Sequence, residues 1–600
     1  MNKFKFMTLT KNSAIDNKYY QQVIDSLEVP NISPFFKLHL AIWQLRPFDL
    51  QKQYPLDCPQ GRMGFLAWCV FHGRNEYAAL RELQVFWDAL AQPADIPQTL
   101  YSGAITRLMQ LAAIFRLDLQ IDSALTTENQ QLELLQWFCF YGWKELGLTP
   151  KDIANCQKPY FVKNPVNNIS FIDAVIYASR LDLQNQFNLT TDTGQFDYNL
   201  WLQTTGAKET VLNLLLPQQM VIAPDDNTPA LKWGVNLIGY AFGELGIGED
   251  VRMAALALDA AKVPFTVINF HPGDSVRQQD FSIAHWVTNA PIYSINIVCL
   301  TAVEHFRIYA ERGDALFKNR YTIGYWPWEL LNWPKNWQHC FSLVDEVWAF
   351  SQLTWQSVEK MSPVPVLKMP SAVALPQVKR YQRKAWSLPE SSYLFVFSFD
   401  GNSSLARKNP LGVINAFQKA FPKGTEAVGL VIKCMRPDLK NRAWKSILKM
   451  ALDDSRIKII DQMLNKPEVL GLYKVCDCFV SLHRAEGFGR GIAEALLLGL
   501  KVIATDHGGN VDFCLPGSAY LVSYKLIKVG KNDYVEPTGQ YWAEPNISDA
   551  AMIMKKLASE EVKSKKTVKS AIKSQFSVAT IGQNYKERLT SIYRNKLSFK

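Results

Sequence analysis

The sequence predicts two α/β domains, each built on a parallel sheet covered by helices, preceded by an all-α domain with a threefold repeat. Three observations predict this. Apolar strand-like runs alternate with helical stretches from about residue 231 onward; a linker-like stretch divides that region in two; and three segments within the first 220 residues align with one another. Six hundred residues also exceed what a single core organises.

The helical region, residues 1–225, comes first. Its aligned segments are RPFDLQKQYPLDCPQGRMGFLAWCVFHGRNEY, RLDLQIDSALTTENQQLELLQWFCFYGWKEL and RLDLQNQFNLTTDTGQFDYNLWLQTTGAKET. In each, Asp-Leu-Gln begins 19 residues before a Trp, and a Gly and a Glu follow that Trp by five and eight residues. The sets are Asp49, Trp68, Gly73, Glu76; Asp118, Trp137, Gly142, Glu145; and Asp182, Trp201, Gly206, Glu209. Four residue types held at fixed offsets in three copies indicate a helical repeat with a unit of about 65 residues. The Trp is expected to pack inside each unit and the Gly to close its helix in a left-handed cap. Stacked helical units can present a binding face, so this domain is a candidate to hold a partner or acceptor.

The first α/β half, residues 231–385, carries the runs GVNLIGYA, FTVINF, YSINIVCL, YTIGYWPW and EVWAF. The stretch VLKMPSAVALPQVKRYQRKAWSLPESS then reads as a linker. The second half, residues 386–575, resumes with YLFVFSF, VGLVIKCM, IKIID, CDCFVSL, KVIATD and YLVSY. Nearly continuous apolar strands between helices indicate parallel sheets buried on both faces, hence two Rossmann-like domains. Ligands of such sheets bind beyond the carboxyl ends of the strands, here toward the cleft between the halves.

The final segment, 576–600, reads as a basic helix able to pack back on the first half. Residues 555–600 carry 12 Lys/Arg against three Glu, nearly all of the chain's net charge of +10. A solvated helical tail accounts for this; the sharper reading is a basic surface for anionic lipid or a phosphorylated acceptor, with peripheral contact at the inner membrane surface. No recognition motif accompanies the charge, which argues against nucleic acid. The ten cysteines form neither a CxxC nor a Cys/His cluster, so zinc and disulfide frameworks are unsupported and a reducing cytoplasm is expected. The N-terminal MNKFKFMTLTKNSA lacks a signal-peptide core, and no apolar run reaches membrane-spanning length.

The chemistry concentrates in EGFGRGIAEALLLG, residues 486–499. Gly487, Gly489 and Gly491 delay the helix until about Gly491, so Glu486 falls on a strand-to-helix turn after CDCFVSL and Glu494 in the first turn of the helix that follows. Glycines at a carboxyl strand end let backbone N–H groups approach a ligand, and a helix N-terminus favours an anion. Carboxylates beside it accept hydrogen bonds from sugar hydroxyls. A phosphate flanked by hydroxyl-binding carboxylates describes a nucleotide sugar.

The pattern Glu486-Gly-Phe-Gly…Glu494-Ala…Gly499, followed by KVIATDHGGN, resembles the E-x7-E region of retaining glycosyltransferases of family 4, which have the GT-B architecture. GYAFGELGIGEDVR (239–252) is similar to the glycine-rich loop after the first strand of the family's N-terminal domain. IGYWPWELLNWPKNWQHCFSLVDEVWAFS (323–351) and SFDGNSSLARKNPLGVINAF (398–417) look like segments of bacterial members, and together the likeness covers roughly residues 231–560. The resemblance implies that Glu494 receives the ribose hydroxyls and that Glu486 contacts the transferred sugar, with backbone contacts from Gly487, Phe488 and Gly489. It implies that Gly243 and Gly246 let the N-terminal loop approach the diphosphate, and that Lys408 binds phosphate. Arg407 stands directly before Lys408, whereas the family places its Arg several residues earlier. Asn409 and Pro410 read as a helix N-cap and first-turn residue. For the acceptor side, His271 after FTVINF is one candidate and His305 another.

The resemblance also implies metal-independent chemistry, with Lys/Arg and a helix dipole meeting the charge of the departing nucleoside diphosphate. The adjacent pairs Asp225-Asp226 and Asp453-Asp454 read as surface turns rather than as a metal pair. The leading expectation is a retaining transferase of a hexose-type sugar to a surface-polysaccharide or lipid-linked acceptor. A protein acceptor held by the helical repeats is a second reading, and a GT-B scaffold that binds without turnover a third.

Overall fold

The computed structural model describes residues 17–215, 231–378, 380–559 and 571–597. The described residues divide into two units, one of 17–215 with 307–316 and one of 231–306 with 317–378, 380–559 and 571–597.

The larger unit holds two six-stranded sheets, parallel throughout. The first runs, edge to edge, Phe265–Asn269, Lys232–Gly239, Tyr293–Cys299, Tyr321–Tyr325, Glu346–Ala349 and Val366–Lys368. Its last strand is the opening of the stretch read as a linker: three residues suffice to pair Val366 with Val347. The second sheet runs Ile457–Ile460, Val428–Met435, Tyr393–Asp400, Cys478–Ser481, Lys501–Thr505 and Tyr520–Val522. In chain order that is 3-2-1-4-5-6, the doubly wound order whose ligand crevice opens between strands 1 and 4. Its central strands are buried end to end (Leu394–Phe397, Leu430–Ile432, Cys478–Val480), as two-sided helix cover requires. An antiparallel pair, Tyr524–Lys528 with Tyr541–Pro545, was not legible in the sequence.

The helix Val578–Ile592 is not a solvated tail. Ile581, Tyr585, Leu589 and Ile592 recur at helical spacing and are buried against the helix Gly246–Ala260 of the first sheet's domain. A Cβ on Gly582 would lie 2.1 Å from Ala257 O, so glycine permits the two backbones to approach. Tyr585 and Tyr325 hydroxyls meet at 3.1 Å, and Arg588 pairs with the buried Glu346. Lys563, Lys565, Lys566 and Lys569 of the basic segment lie outside the described residues. No helix among the described residues is long and apolar enough to cross a membrane.

The smaller unit departs from the all-α expectation at its start, where Val23–Val29 and Ser33–Phe36 pair antiparallel around Asn31, whose φ is 63°. Helices fill the remainder of residues 37–215. One local arrangement recurs three times. A helix ends at Trp68, Trp137 or Trp201, and a five-residue π-helical turn follows, ending at Gly73, Gly142 or Gly206. These glycines have right-handed φ of −56°, −56° and −58°, which overturns the left-handed cap. Their reason is contact: an added Cβ would meet the ring of the Trp five residues earlier at 2.7, 2.8 and 2.7 Å. The repeated Asp and Glu also find their use. Arg46 pairs with Asp49 and Glu76, Arg116 with Asp118 and Glu145, and Arg180 with Asp182 and Glu209. Hydrogen bonds from these arginines hold Asp49, Asp118 and Asp182 below the ordinary carboxylate range.

We predict that Gly142→Ala, which forces its methyl against the Trp137 ring, destabilises the chain by about 1–3 kcal/mol, the cost of overpacking a filled site. Urea unfolding checks this, and shrinking the ring in Gly142→Ala/Trp137→Leu should recover part of the cost of the glycine change.

Candidate active site at the switch point of the second sheet

Strand order decides where this site lies. Strands Tyr393–Asp400 and Cys478–Ser481 are neighbours at the point where the winding reverses, so a crevice opens between the chains leaving their carboxyl ends. The first exit leads to a four-residue helix, Leu405–Lys408, and the second to the Glu486 turn.

Local capping sets the first exit. Ser404 Oγ accepts from Arg407 N–H at 3.1 Å, and Asn409, with φ of 54°, ends the short helix. Asn409 then caps the next helix by accepting from Gly412 N–H at 3.1 Å, with Pro410 in its first turn. Its amide also donates to Leu482 O at 2.9 Å, tying this exit to the other strand's exit.

Lys408 Nζ consequently donates to Glu486 Oε2 at 2.5 Å. Arg407 reaches the same carboxylate oxygen at 3.7 Å and donates to Ala485 O at 3.1 Å. Residues adjacent on a helix point about 100° apart. The two long side chains nonetheless converge on Glu486 Oε2. Arg407 therefore meets Glu486 although it stands directly beside Lys408.

Two cations share one carboxylate here. Burial pushes the Glu486 carboxyl up, but the charges of Lys408 and then Arg407 outweigh it and hold the group at about 2. Burial, with Arg407 alongside, moves Lys408 below the ordinary lysine value despite Glu486. Arg407 is buried and its Nε–H has no hydrogen-bond partner. Glu329 also acts on both cations, so the charges of the cluster balance; what it keeps open is the unused Arg407 N–H, a donor suited to an anion.

The Glu486 turn rests on the following loop. Gly509 N–H donates to Glu486 O at 2.7 Å, and a Cβ on Gly509 would lie 2.0 Å from Gly487 O. Gly508 has φ of 116°, where only glycine is unstrained. Gly489, with φ of 93°, is the N-cap of the helix Arg490–Leu498 and offers no side-chain cap, so its first N–H groups keep their capacity for a ligand. The side chain of Phe488 is a core anchor against Phe513 and Phe576, at ring distances of 5.3 and 6.0 Å. Only its backbone is available to a ligand. The helix begins at Arg490, so Glu494 falls in its second turn rather than its first; it is buried and paired with Lys466, at the start of the helix Lys466–Val475.

On the first sheet's side, Gly246 opens the helix Gly246–Ala260, whose N-cap Leu245 supplies no side-chain bond. Nothing lies within 4 Å of a Cβ added at Gly246. Gly243 packs near Leu245, and a Cβ on Gly248 would meet Gly243 O at 2.1 Å. Glu249 in this first turn and Asp250 just after it are buried. Burial pushes Glu249 up, but Lys466, Arg252 and Arg490 bring it to about 2. Arg490, between the two glutamates of the motif, pairs with Asp250 and donates to Ser371 Oγ at 2.9 Å.

The histidine candidates separate. His271 is exposed beyond the strand Phe265–Asn269, its Nδ1 accepting from Gly273 N–H at 3.1 Å. His305 is a core residue, contrary to its candidacy. It is fully buried, takes the Trp326 indole N–H at 3.2 Å, stacks on Phe317, and is pushed by burial to about 3. Asp454 pairs with Arg456 at 2.8 Å, and Asp225-Asp226 lie outside the described residues.

Residues that the sequence reading did not single out complete the surroundings. Besides Arg490 and Lys466, these are His483, Glu329 and Tyr534. His483 is buried with Nδ1 3.0 Å from Ser481 Oγ and Nε2 2.8 Å from His507 O, and burial moves it down to about 4. Only Arg490 carried a signal, its place inside the E-x7-E spacing.

Residues 395–528 match the family model described as glycosyl transferases group 1. No curated protein matches the chain in sequence. Among solved structures, Anabaena HepE in complex with UDP and glucose is 15% identical over 60% of this chain and 100% of that one, with a TM-score of 0.44. Sucrose-phosphate synthase from Thermosynechococcus elongatus is 13% identical over 60% and 100%, with a TM-score of 0.45. A glycosyltransferase from Rickettsia africae is 12% identical over 61% and 99%, at 0.43.

The depressed Glu486 carboxyl gives a signed prediction. Its folded value, about 2, lies below the unfolded value of 4.5, so its contribution is present above pH 4.5 and is lost as pH falls toward 2. Urea unfolding across this range should show Glu486→Gln with a flatter pH dependence than the parent; parallel curves would refute the pairing.

Proposed function

We propose that the protein is a glycosyltransferase that moves a hexose-type sugar from a nucleoside diphosphate sugar to a surface-polysaccharide or lipid-linked glycan, with retention and without a metal ion. The observation that carries this reading is the meeting of Lys408, Arg407 and Glu486 at the switch point, within the segment similar to the glycosyl transferases group 1. The two neighbouring cations and the unused Arg407 Nε–H suit a diphosphate.

In this reading the bond between the anomeric carbon and the β-phosphate oxygen breaks, and its electron pair stays on that oxygen. Lys408, Arg407 and the N-terminus of Arg490–Leu498 stabilise the developing charge, the task a divalent metal performs elsewhere. The acceptor hydroxyl attacks the same face and gives its proton to the departing phosphate, so no protein nucleophile is used. Glu486 accepts from hydroxyls of the transferred sugar and Glu494 from the ribose. Gly246 supports the reading from the other sheet, as an open, uncapped helix start. The repeated units of residues 37–215 serve the acceptor, and the basic C-terminal segment serves contact with an anionic membrane surface.

Incubation with a panel of UDP- and GDP-sugars should release free nucleotide. Lys408→Ala should lower turnover by about 10²–10³, the range seen when a fixed charge-stabilising donor is removed. Glu494→Ala should raise the KM for the donor. No nucleotide binding and no release with any donor would sink the transferase reading.

A further inference from the structure

Glu329 reaches the Glu486 turn from the other Rossmann-like domain. The strand Tyr321–Tyr325 leads into Trp328 and Glu329, and Thr354 Oγ1 fixes Trp328 O with a bond of 2.9 Å. A Cβ built on Gly487 would lie 2.8 Å from Trp328 O and 3.4 Å from Glu329 Cγ. The Glu329 side chain therefore lies directly against the residue after Glu486.

A second element fixes its carboxylate. Tyr534 Oη donates to Glu329 Oε2 at 2.7 Å, while its ring lies over the Arg407 guanidinium at 5.6 Å. Tyr534 belongs to the loop 529–540 between the two antiparallel strands, and that loop is fastened to both domains. Ser404 Oγ donates to Asp533 O at 2.5 Å; Gln540 Nε2 donates to Asn332 O at 2.8 Å; and Asn336 Nδ2 donates to Glu536 at 3.0 Å. Such bonding on two sides holds Tyr534, and through it Glu329, in one place.

The partnerless Arg407 Nε–H marks where an anion would sit, and Tyr534 touches the same guanidinium. A sugar attached to a diphosphate at Arg407 and Lys408 is then bordered by Glu486 and by Glu329. Two carboxylates accept hydrogen bonds from hydroxyls, but a sugar bearing its own carboxylate brings a third negative charge against them. We propose that Glu329, positioned by Tyr534, is a specificity residue of the donor-sugar subsite and restricts the donor to uncharged sugars. The proposal rests on the transferase reading above.

The test compares dissociation constants by calorimetry for matched pairs, UDP-glucose with UDP-glucuronate or GDP-mannose with GDP-mannuronate, on whichever nucleotide the parent binds. The parent should favour the neutral sugar by at least about tenfold, and Glu329→Gln should shrink that ratio about tenfold. Glu329→Asp, which keeps the charge, should retain the preference. Tyr534→Phe should reduce it partially, since the charge remains but its place is no longer fixed. A purely structural role would weaken both members of the pair alike and leave the ratio unchanged; that result, or a parent with no preference, overturns the proposal. A parent that binds neither UDP nor GDP removes the transferase reading itself and this proposal with it.

Discussion

Two cations sharing the Glu486 carboxylate, Arg407 buried and Lys408 partly buried, are the interaction on which the rest of the site depends. Taking them out of water costs free energy that Glu486 and Glu329 offset, and removing one partner of a buried pair typically costs about 3–5 kcal/mol. The cluster exists because the surrounding backbone leaves it no alternative. Asn409, at φ of 54°, ends the helix carrying the cations and ties it to Leu482 O. Gly509 holds the Glu486 carbonyl from the other side. What remains is an unused Arg407 N–H donor among balanced charges. A globular core gains nothing from an unused donor, whereas a phosphate-binding site uses one.

Charge also joins the two Rossmann-like domains around this cluster. Arg490 pairs with Asp250 of the first domain; Arg436, at φ of 56°, pairs with Asp400 and donates to Glu244 O at 3.4 Å. Lys466 sits on Glu494 and is also the leading cation that holds Glu249 ionised. The acids near the start of Gly246–Ala260 would otherwise oppose an anion there; these cations answer them. The helix Val578–Ile592 adds an apolar tie, closing the chain back on the first domain.

How much of this was legible follows from which interactions are local. Strands such as YLFVFSF and VGLVIKCM were plain because a sheet buried on both faces writes itself as unbroken apolar runs. Val366–Lys368 was not, since three residues ahead of a proline carry no period. Tyr524–Lys528 and Tyr541–Pro545 are short, and a twelve-residue loop (529–540) separates them. Glu486 and Glu494 were singled out by a spacing that is local and Lys408 by the likeness of its own segment, whereas the meeting of Arg407 with Glu486 joins residues 79 positions apart. Glu329 and Tyr534 come together across 205 positions of chain, beyond any spacing argument. The repeated glycines show the opposite error. Trp and Gly five residues apart were visible three times, but the offset is that of a π-helical turn with ring contact rather than of a helix end.

Crystals of the chain grown with UDP and with GDP show directly whether this cluster holds a diphosphate. Diphosphate oxygens are expected within hydrogen-bond distance of Lys408 Nζ and Arg407 Nε, with the ribose hydroxyls at Glu494. Crystals saturated with nucleotide in which both cations remain on Glu486, and the nucleotide lies elsewhere or nowhere, would contradict it.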